Sequence, residues 1–246
     1  MDVIEADQLT PTQAFNHWYY QSKFDLLSDH LDRLALPLDV SVADVGCGIG
    51  LFLTLLERSK RFAPHQMVGI DLAYTEPTLA VQGQTVIRPD WPSGDLFDLI
   101  LMMHVLEHVE DDRAMLADAA NRLSDSGYIF IDVPAFPFLY SAHDRFLGHY
   151  RRYTTETLKE LVLSTGNLEL INVHYFFAAA FPAAAAVRLF RGDADKGDSS
   201  DLKPLPAWLN KLLIRGHRVE RRIARFNNLF GLSAIAIARK IPRRTI

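Results

Sequence analysis

Residues 40–50, VSVADVGCGIG, decide the fold, because a short β-branched run enters a turn rich in glycine. Asp44 precedes a G-x-G-x-G pattern that begins at Gly46. A dinucleotide-binding turn, G-x-G-x-x-G, would need its third glycine where Leu51 stands. The acid is also unfavourable beside a pyrophosphate, which is bound by helix-terminal N–H groups. The turn therefore favours a ligand with a cationic part, such as an amino-acid ammonium, which the glycine backbone can approach closely.

Predicted strands and helices alternate along the chain on both sides of this turn. The strand segments are apolar without alternation, which is typical of a parallel sheet covered by helices on both faces. We therefore predict an α/β fold with a doubly wound sheet, preceded by helix within residues 11–36. The predicted strand segments are VSVADV, MVGIDLA, QTVIRP, LFDLILMM, GYIFIDVPA, LELINVHYFF and GLSAIAIARK.

A second acid ends the second predicted strand. Asp71 stands 21 residues after Gly50, and a carboxylate at that distance can accept hydrogen bonds from both hydroxyls of a ribose. Ligands of such sheets bind beyond the carboxyl ends of the strands, near the point where strand order reverses. We therefore expect the glycine turn, Asp71 and the residues after the fourth strand to surround one crevice.

The composition is that of an ordinary globular chain of 246 residues, 49% of them hydrophobic and 23% charged. The single cysteine, Cys47, excludes an internal disulfide framework and fits a reducing compartment, so we expect a cytoplasmic location. No charged region followed by an apolar run opens the sequence, so we expect no signal peptide. The most apolar stretch, residues 175–190, is interrupted by Pro182 and is a poor candidate for a membrane span.

Charge is distributed unevenly along the chain. From Trp208 onward there are ten Lys and Arg residues and one Glu, whereas residues 1–207 hold 16 Lys and Arg and 29 acids, giving +9 and −13. A basic C-terminal face of this kind meets phosphate, a membrane surface or the acidic body of the protein itself. Nucleic acid is disfavoured as a partner, because most of the chain is acidic and no aromatic–basic RNA-binding module is present.

Residues 104–108, HVLEH, spell H-x-x-E-H, an inverted zinc-peptidase signature. A peptidase needs both histidines on one helix, where positions i and i+4 share a face. The apolar run LFDLILMM leads directly into His104, so we expect His104 to end a strand and Glu107 to begin a turn. We therefore reject the peptidase interpretation.

The chain resembles the class I S-adenosylmethionine-dependent methyltransferases. The matching segments are VADVGCGIG for the first motif, GIDLA for the second and FDLILMMHVLEHVEDD around the fourth strand. The resemblance covers about residues 40–177 and the final strand at 231–240. It implies a Rossmann-like, mostly parallel seven-stranded sheet with an antiparallel last strand, and S-adenosyl-L-methionine as the cofactor. HWYYQSKFDLL and SAHDRFLGHYRRYT are similar to segments of a bacterial group near the ubiquinone-pathway and type 11-like methyltransferases.

The resemblance implies a role for each matching residue. The glycine turn would lie beneath the methionine part of the cofactor, with Asp44 orienting the ammonium, Asp71 holding the ribose and His104 beside the methionine part. Asp90 is the candidate for a contact near the adenine. The aromatic helix near the start would close over the cofactor, or equally would pack on the sheet. The implied cofactor-binding residues are Tyr20, Lys23, Asp44, Gly46, Cys47, Gly48, Gly50, Asp71, Leu72, Asp90 and His104.

A hydroxyl acceptor would need a base to take its proton, and histidine is the natural choice near neutral pH. We predict His143 as the catalytic residue, because it follows the fifth strand, where acceptors enter this fold; His108 and His149 are the other candidates. The alternative is a structural loop in which Asp144 pairs with an arginine. Arg151 and Arg152 would otherwise bind a phosphate or carboxylate of the acceptor.

Ubiquinone-pathway O-methyltransferases carry E-x-x-E-H, a segment linked to divalent metals, where this chain has His104, Glu107 and His108. Replacing a carboxylate by an imidazole weakens a magnesium site, because hard cations prefer oxygen ligands. We predict no metal site and expect Glu107 and His108 to fix the loop by hydrogen bonds. Metal binding at these two residues remains the open alternative.

We predict four parts: an N-terminal helical segment (1–38), the cofactor-binding core (39–177), an insertion or lid (178–230) and a final strand with a basic tail (231–246). Residues 191–206 read as a polar connector within the insertion.

Residues 206–226 of the insertion form a basic amphipathic helix, which predicts peripheral membrane contact or a cap on its own domain. Residues 178–190 could wall an apolar pocket. We therefore expect methyl transfer to a small or lipid-linked acceptor. The alternatives are an inactive protein that binds S-adenosylmethionine or S-adenosylhomocysteine, and a nucleotide-dependent oxidoreductase, which the glycine spacing disfavours.

Overall fold

The computed structural model describes residues 9–62, 66–191 and 204–242, and these residues form one eight-stranded sheet with helices on both faces. The predicted connector falls largely on residues 192–203, which lie outside the described residues. The strands are β1 (Ser41–Val45), β2 (Gln66–Ile70), β3 (Thr78–Leu79), β4 (Val86–Arg88), β5 (Phe97–Met103), β6 (Leu123–Pro134), β7 (Leu168–Phe176) and β8 (Ser233–Lys240).

The strand order is β3-β4-β2-β1-β5-β6-β8-β7, and β1 lies between two parallel neighbours, β2 and β5. The chain thus reverses its direction of winding beside β1, at the predicted crevice. The last strand, β8, is antiparallel to both β6 and β7, as predicted. The predicted count of seven strands is wrong by one. The extra strand, β3, is a two-residue edge strand antiparallel to β4, too short to leave a hydrophobic pattern.

The helices are α1 (Pro11–Asn16), α2 (Trp18–Leu31), α3 (Leu51–Ser59), α4 (Asp112–Asn121), α5 (Ala142–Phe146), α6 (Thr155–Ser164), α7 (Phe181–Arg191) and α8 (Ala207–Ala224). The helical segment predicted near the start is two helices, because His17 between them is extended. A capping box between Thr10 and Gln13 begins α1. Among the described helices, none is long and apolar enough to cross a membrane.

Successive residues of the central strands point to opposite faces of the sheet and build two cores. Ile129 and Ile131 of β6 pack with α4 and α6 on one face. Phe130 of the same strand packs with α2 and α3 on the other face. Strands buried on both sides explain the uninterrupted apolar runs of the sequence and confirm the doubly wound fold.

Helix α8 packs on α2 and also contacts β7 at the edge of the sheet. The side chain of Asn210 accepts a hydrogen bond from the backbone N–H of Trp18 at 2.7 Å, and the ring of His217 stacks on Trp18 with centroids 5.2 Å apart. Arg221 forms ion pairs with Asp25 and Asp29 at 3.7 and 3.3 Å. The expected cap on the body of the protein therefore exists.

Two glycines in these elements should respond oppositely to substitution by alanine. Nothing lies within 4 Å of a Cβ added to Gly216 in the middle of α8, whereas a Cβ on Gly69 in β2 would meet the Cys47 sulfur at 2.6 Å. We expect Gly216→Ala to raise the free energy of unfolding by about 0.5–1 kcal/mol, because alanine loses less backbone entropy in a helix. Gly69→Ala should lower it by about 1–3 kcal/mol through overpacking.

Urea titration of both variants beside the native chain measures these effects. A destabilising Gly216→Ala would show that this stretch is not the regular helix described above.

Candidate functional site

The glycine turn between β1 and α3 has the backbone that its sequence predicts. Gly46 and Gly50 lie in the left-handed region, at φ +64° and +74°. A Cβ on Gly46 would come within 2.6 Å of Val105, and one on Gly50 within 2.5 Å of Ala80. Both the dihedral angles and the close packing therefore require glycine at these two positions. The turn brings bare backbone to the carboxyl end of β1, at the reversal of strand order.

Asp44 is an acid buried inside β1, immediately before this turn. Its side chain is 1% exposed, and neither carboxylate oxygen has a hydrogen-bond partner in residues 9–62, 66–191 and 204–242. Burial raises the pKa of Asp44 to about 7, and the charge of nearby Asp71 contributes in the same direction. A buried acid without a partner is costly, and a cationic group of a ligand would remove that cost.

Asp71 follows β2 and holds the glycine turn. Its two carboxylate oxygens accept hydrogen bonds from the backbone N–H groups of Gly48 at 2.7 Å and Ala73 at 2.9 Å. A carboxylate has further lone pairs, so these bonds leave capacity for a ribose hydroxyl. Beside it, Leu72 is 88% exposed and presents an apolar surface at the same edge.

Two further predicted residues differ in exposure: Cys47 is buried beside the glycine turn, whereas Asp90 is exposed. The Cys47 side chain is buried against Gly69, and burial raises the pKa of its thiol, so the chain offers a ligand its backbone rather than its sulfur. Asp90 is exposed, two residues after the end of β4. It thus lies at the same edge as Asp71, because β2 and β4 are parallel.

Lys23 of α2 forms the centre of a buried polar cluster at one edge of the sheet, where β5 and β6 end and the antiparallel β8 begins. Its side chain is 1% exposed, and its ammonium contacts Asp132 of β6 at 2.5 Å, Ser233 of β8 at 3.2 Å, and the Nε2 atom of His104. The rings of Tyr19 and Phe177 lie 4.8 and 5.9 Å from the ammonium. Tyr20, the other predicted residue of this helix, is 2% exposed and packs within the core.

The sequence reasoning missed Asp132 and Ser233. An acid inside the otherwise apolar run IFIDVP was the available signal for Asp132, because a buried carboxylate requires a partner. No comparable signal marks Ser233, whose contact with Lys23 joins residues 210 positions apart.

His104 comes directly after β5 and has a φ of +58°, which is unusual for a non-glycine residue. Its Nδ1 atom is 2.8 Å from Glu107 Oε1, and its Nε2 atom is 3.1 Å from the Tyr19 hydroxyl. Burial, and then the charge of Lys23, hold the pKa of His104 well below its ordinary value. The imidazole is therefore neutral at physiological pH, and its side chain is 24% exposed at the sheet edge.

The segment HVLEH is not one helix, which confirms the rejection of the peptidase interpretation. His104 follows a strand, and residues Leu106–His108 form a single 3₁₀ turn. Glu107 bonds to His104 as the loop-fixing role requires. Glu107, His108 and His149 place one potential ligand atom each within 4.8 Å of one another. Two imidazoles and one carboxylate form a donor set that suits zinc, manganese or iron better than magnesium.

His143, the predicted base, is half-buried on α5 in the loop region after β6. Its neighbour Asp144 is fully buried and joins Arg152 at 2.7 Å and His149 at 2.9 Å. The structural ion pair expected as the alternative is therefore present. Arg151 is likewise paired, with Asp112 at 2.9 Å, so both arginines are engaged inside the protein.

A nucleoside that carries an amino acid fits the residues at this edge. Asp44 offers a buried carboxylate to a cation, the turn offers close backbone, and Asp71 and Leu72 offer an acid and an apolar surface. These features come from the ends of β1 and β2, while His104 comes from the adjacent β5. The three strand ends therefore lie side by side at one edge of the sheet.

Comparison with known proteins agrees with this geometry. Residues 15–172, which are more than half of the chain, match the family model described as a methyltransferase domain. A ubiquinone biosynthesis O-methyltransferase from Bartonella quintana (strain Toulouse) is 30% identical over 136 residues. That alignment covers 50% of this chain and 52% of the relative, so the chain matches about half of the relative's length.

Solved structures share the fold at low identity. The N-methyltransferase NodS from Bradyrhizobium japonicum WM9, in complex with S-adenosyl-L-homocysteine, is 16% identical with a TM-score of 0.50, over 90% of this chain and 87% of NodS. The [4+2]-cyclase SpnF is 17% identical with a TM-score of 0.57, over 91% of this chain and 82% of SpnF. A cyclase among these neighbours illustrates that fold alone does not determine the reaction. The family match shows the membership: the chain belongs to the class I S-adenosylmethionine-dependent methyltransferases, which use S-adenosylmethionine as their cofactor.

Proposed function

We propose that this methyltransferase transfers the methyl group to a hydroxyl of a small or lipid-linked acceptor, in peripheral contact with a membrane through residues 206–226. The similarity to a ubiquinone biosynthesis O-methyltransferase supports oxygen as the methylated atom. The acceptor class is inferred from the outward face of α8. There, large apolar side chains from Trp208 to Ile223 are exposed beside basic ones.

Cofactor binding is assigned in this proposal to the residues at the strand ends. S-adenosylmethionine, when bound, supplies an electrophilic methyl group on sulfur. Asp44 would pair with the ammonium of its methionine part, the backbone of the glycine turn would approach that part closely, and Asp71 would accept hydrogen bonds from the ribose. Leu72 and Asp90 would contact the adenine. Two observations support these assignments: the Asp44 oxygens have no hydrogen-bond partner among the described residues, and Leu72 is exposed.

Helix α2 forms the wall on the other side of the proposed site. Lys23 fixes this helix to β6 and β8, and the same ammonium contacts His104. Tyr20 contributes by packing, since it is buried beneath the helix. A fixed wall holds cofactor and acceptor in line and excludes water, which is the main contribution of protein to a substitution at carbon.

His143 is the proposed base for the acceptor's hydroxyl proton. His104 is less suited to this task, because burial and Lys23 hold its pKa well below the ordinary value and make it a weak base. His143 is half-buried on α5, after the end of β6. His104 instead orients the site through its contacts with Glu107 and Tyr19.

Asp44→Asn should separate cofactor binding from stability. A pKa raised to about 7 means that the folded protein keeps its proton while the unfolded chain ionises near pH 4. The native chain therefore loses stability as pH rises from about 4 to 7, by up to about 4 kcal/mol at 1.36 kcal/mol per pH unit. The variant should lack this loss and be more stable than the native chain at pH 8. Its affinity for S-adenosylhomocysteine should fall about tenfold or more.

Denaturant unfolding between pH 4 and 8, and calorimetric titration with S-adenosylhomocysteine, measure the two effects. Asp118→Asn, on the exposed surface of α4, is the matched control and should change neither. Equal pH dependence of native and variant stability would contradict the account of Asp44, and unchanged affinity would remove it from the cofactor site.

The class of the acceptor and the role of His143 as the base are both tested with S-adenosylmethionine that carries a label in its methyl group. We expect label to enter a total lipid extract as a methyl ether that resists alkaline hydrolysis. His143→Asn should lower the rate of transfer by about 10²–10⁴-fold, because the hydroxyl proton is no longer removed, with unchanged affinity for S-adenosylhomocysteine. His108→Asn is the comparison variant and should transfer at close to the native rate.

Label released by alkali would indicate a methyl ester and exclude the hydroxyl acceptor. A native rate for His143→Asn would exclude that residue as the base. Cofactor binding without transfer to either lipid or aqueous extracts would instead identify the protein as an inactive binder of S-adenosylmethionine.

A further inference from the structure

The outward face of α8 carries a row of large apolar side chains, which we call the apolar stripe. Trp208, Leu212, Val219 and Ile223 lie on the helix, and Phe226 stands two residues beyond its end. At 100° per residue, the four helical positions fall within about 60° of one another around the helix axis. Each side chain is between 58% and 69% exposed. Five neighbouring large apolar residues in water form a patch of the kind that marks an interaction surface.

The opposite face of α8 is firmly attached to the protein, so the stripe cannot turn inward. His217 and Ala224 are buried on that face. His217 stacks on Trp18, and the side-chain amide of Asn210 donates a hydrogen bond to the carbonyl of Asn16 at 2.7 Å. Glu220 accepts a hydrogen bond from the backbone N–H of Ala178 at 2.6 Å. The orientation of the stripe is therefore a property of the fold.

A row of basic side chains, which we call the basic row, runs along one flank of the stripe. By the same helical geometry, its members lie within about 80° of one another and adjacent to the stripe. Arg221 is turned away from it, towards Asp25 and Asp29. The members of the basic row are Lys211, Arg215, Arg218, Arg222 and Arg225. Of these, Arg218 also lies 3.7 Å from Asp25 while its side chain stays 59% exposed.

The two rows together fit one kind of partner. A lipid bilayer with anionic headgroups accepts apolar side chains at the boundary of its acyl region and attracts cations at its surface. Nucleic acid would pair with the basic row but leaves Leu212, Val219 and Ile223 without a partner. A second copy packed face to face through α8 would bring two basic rows together, which is unfavourable.

The apolar surface continues from the stripe to the proposed site. Leu229 is 78% exposed and Phe230 is 39% exposed, just beyond Phe226. The ring of Phe230 contacts Phe181 of α7 at 5.4 Å between centroids. Phe181 in turn lies 5.4 Å from Phe136, two residues after the end of β6. Aromatic side chains therefore connect the outer face of α8 with the carboxyl edge of the sheet.

We propose that α8 lies in the surface of an anionic bilayer, with the apolar stripe inserted and the basic row on the headgroups, so that the aromatic path faces the membrane. This inference rests on the lipid-linked acceptor of the proposed function. Binding in this mode is peripheral and reversible, since one helix face supplies the apolar contact and salt screens the attraction of the basic row.

Vesicle flotation of the full chain tests the surface, with phosphatidylglycerol and phosphatidylcholine vesicles compared at low and high salt. We expect binding to phosphatidylglycerol, loss of binding in high salt, and little binding to phosphatidylcholine. Trp208 is an internal reporter, because its exposed indole should shift its emission to shorter wavelength on insertion. The shift should be absent in Trp208→Phe, which keeps the other two tryptophans, Trp18 and Trp91.

Two double variants distinguish the contribution of the apolar stripe to vesicle binding from that of the basic row. Leu212→Ser with Ile223→Ser should weaken binding by on the order of tenfold or more, through lost apolar burial. Arg215→Gln with Arg222→Gln should weaken binding to phosphatidylglycerol by on the order of tenfold and reduce its salt dependence. The matched control is Leu163→Ser with Ile171→Ser, an exposed apolar pair on α6 and β7, which should bind like the native chain.

Native-like binding by the stripe variant would overturn the proposal, as would equal binding of the native chain to both lipids or no binding to either. A dimer that sedimentation detects in the native chain and not in the stripe variant would assign the stripe to a second copy instead. All variants are substituted on an exposed face, so unfolding midpoints and affinity for S-adenosylhomocysteine should remain native. Vesicle binding without methyl transfer to either lipid or aqueous extracts would leave this surface standing and refute the proposed function.

Discussion

The buried ammonium group of Lys23 joins helix α2 to the edge of the sheet. Lys23 is fully enclosed, and moving a charge out of water costs several kcal/mol unless partners compensate it. Asp132, Ser233 and His104 supply that compensation from three different strand ends. Removing one partner of such a buried pair costs about 3–5 kcal/mol, so α2 is held where Lys23 meets its acceptors. The position of this helix is thus decided by charge as much as by apolar packing.

Contacts with α2 in turn hold helix α8 in place. Its first turn provides Trp18, against which His217 stacks, and its later turns provide Asp25 and Asp29 for Arg221. Because α8 is fixed through these contacts, its remaining face must point into the surroundings with the apolar stripe exposed. Lys23 therefore contributes to the placement of α8 through α2, beside the direct contacts that α8 makes with β7 and with Ala178. The strand ends of the proposed cofactor site and helix α8 are therefore both in contact with α2.

Local sequence patterns were sufficient for the sheet and for the glycine turn. The turn was predictable because positive φ and close packing at Gly46 and Gly50 leave a fixed spacing of glycines. The break at His17 and the short strand β3 were not predictable, because tertiary contacts decide such short features. The partner of Lys23 could not be predicted either, because Asp132 is 109 residues away in sequence and no local pattern encodes that pairing.

Acids at the carboxyl edge show why a cofactor site could be proposed from the sequence while the surrounding network could not. Asp132 and Glu107 are buried acids whose partners, Lys23 and His104, belong to the protein. Asp44 is buried to the same degree, and the described chain gives its carboxylate no hydrogen-bond partner. Without a ligand, burial disfavours the charged carboxylate, and its pKa rises to about 7. In the proposed site, a cation delivered by a ligand would stabilise the charged form, so part of the binding free energy would come from Asp44.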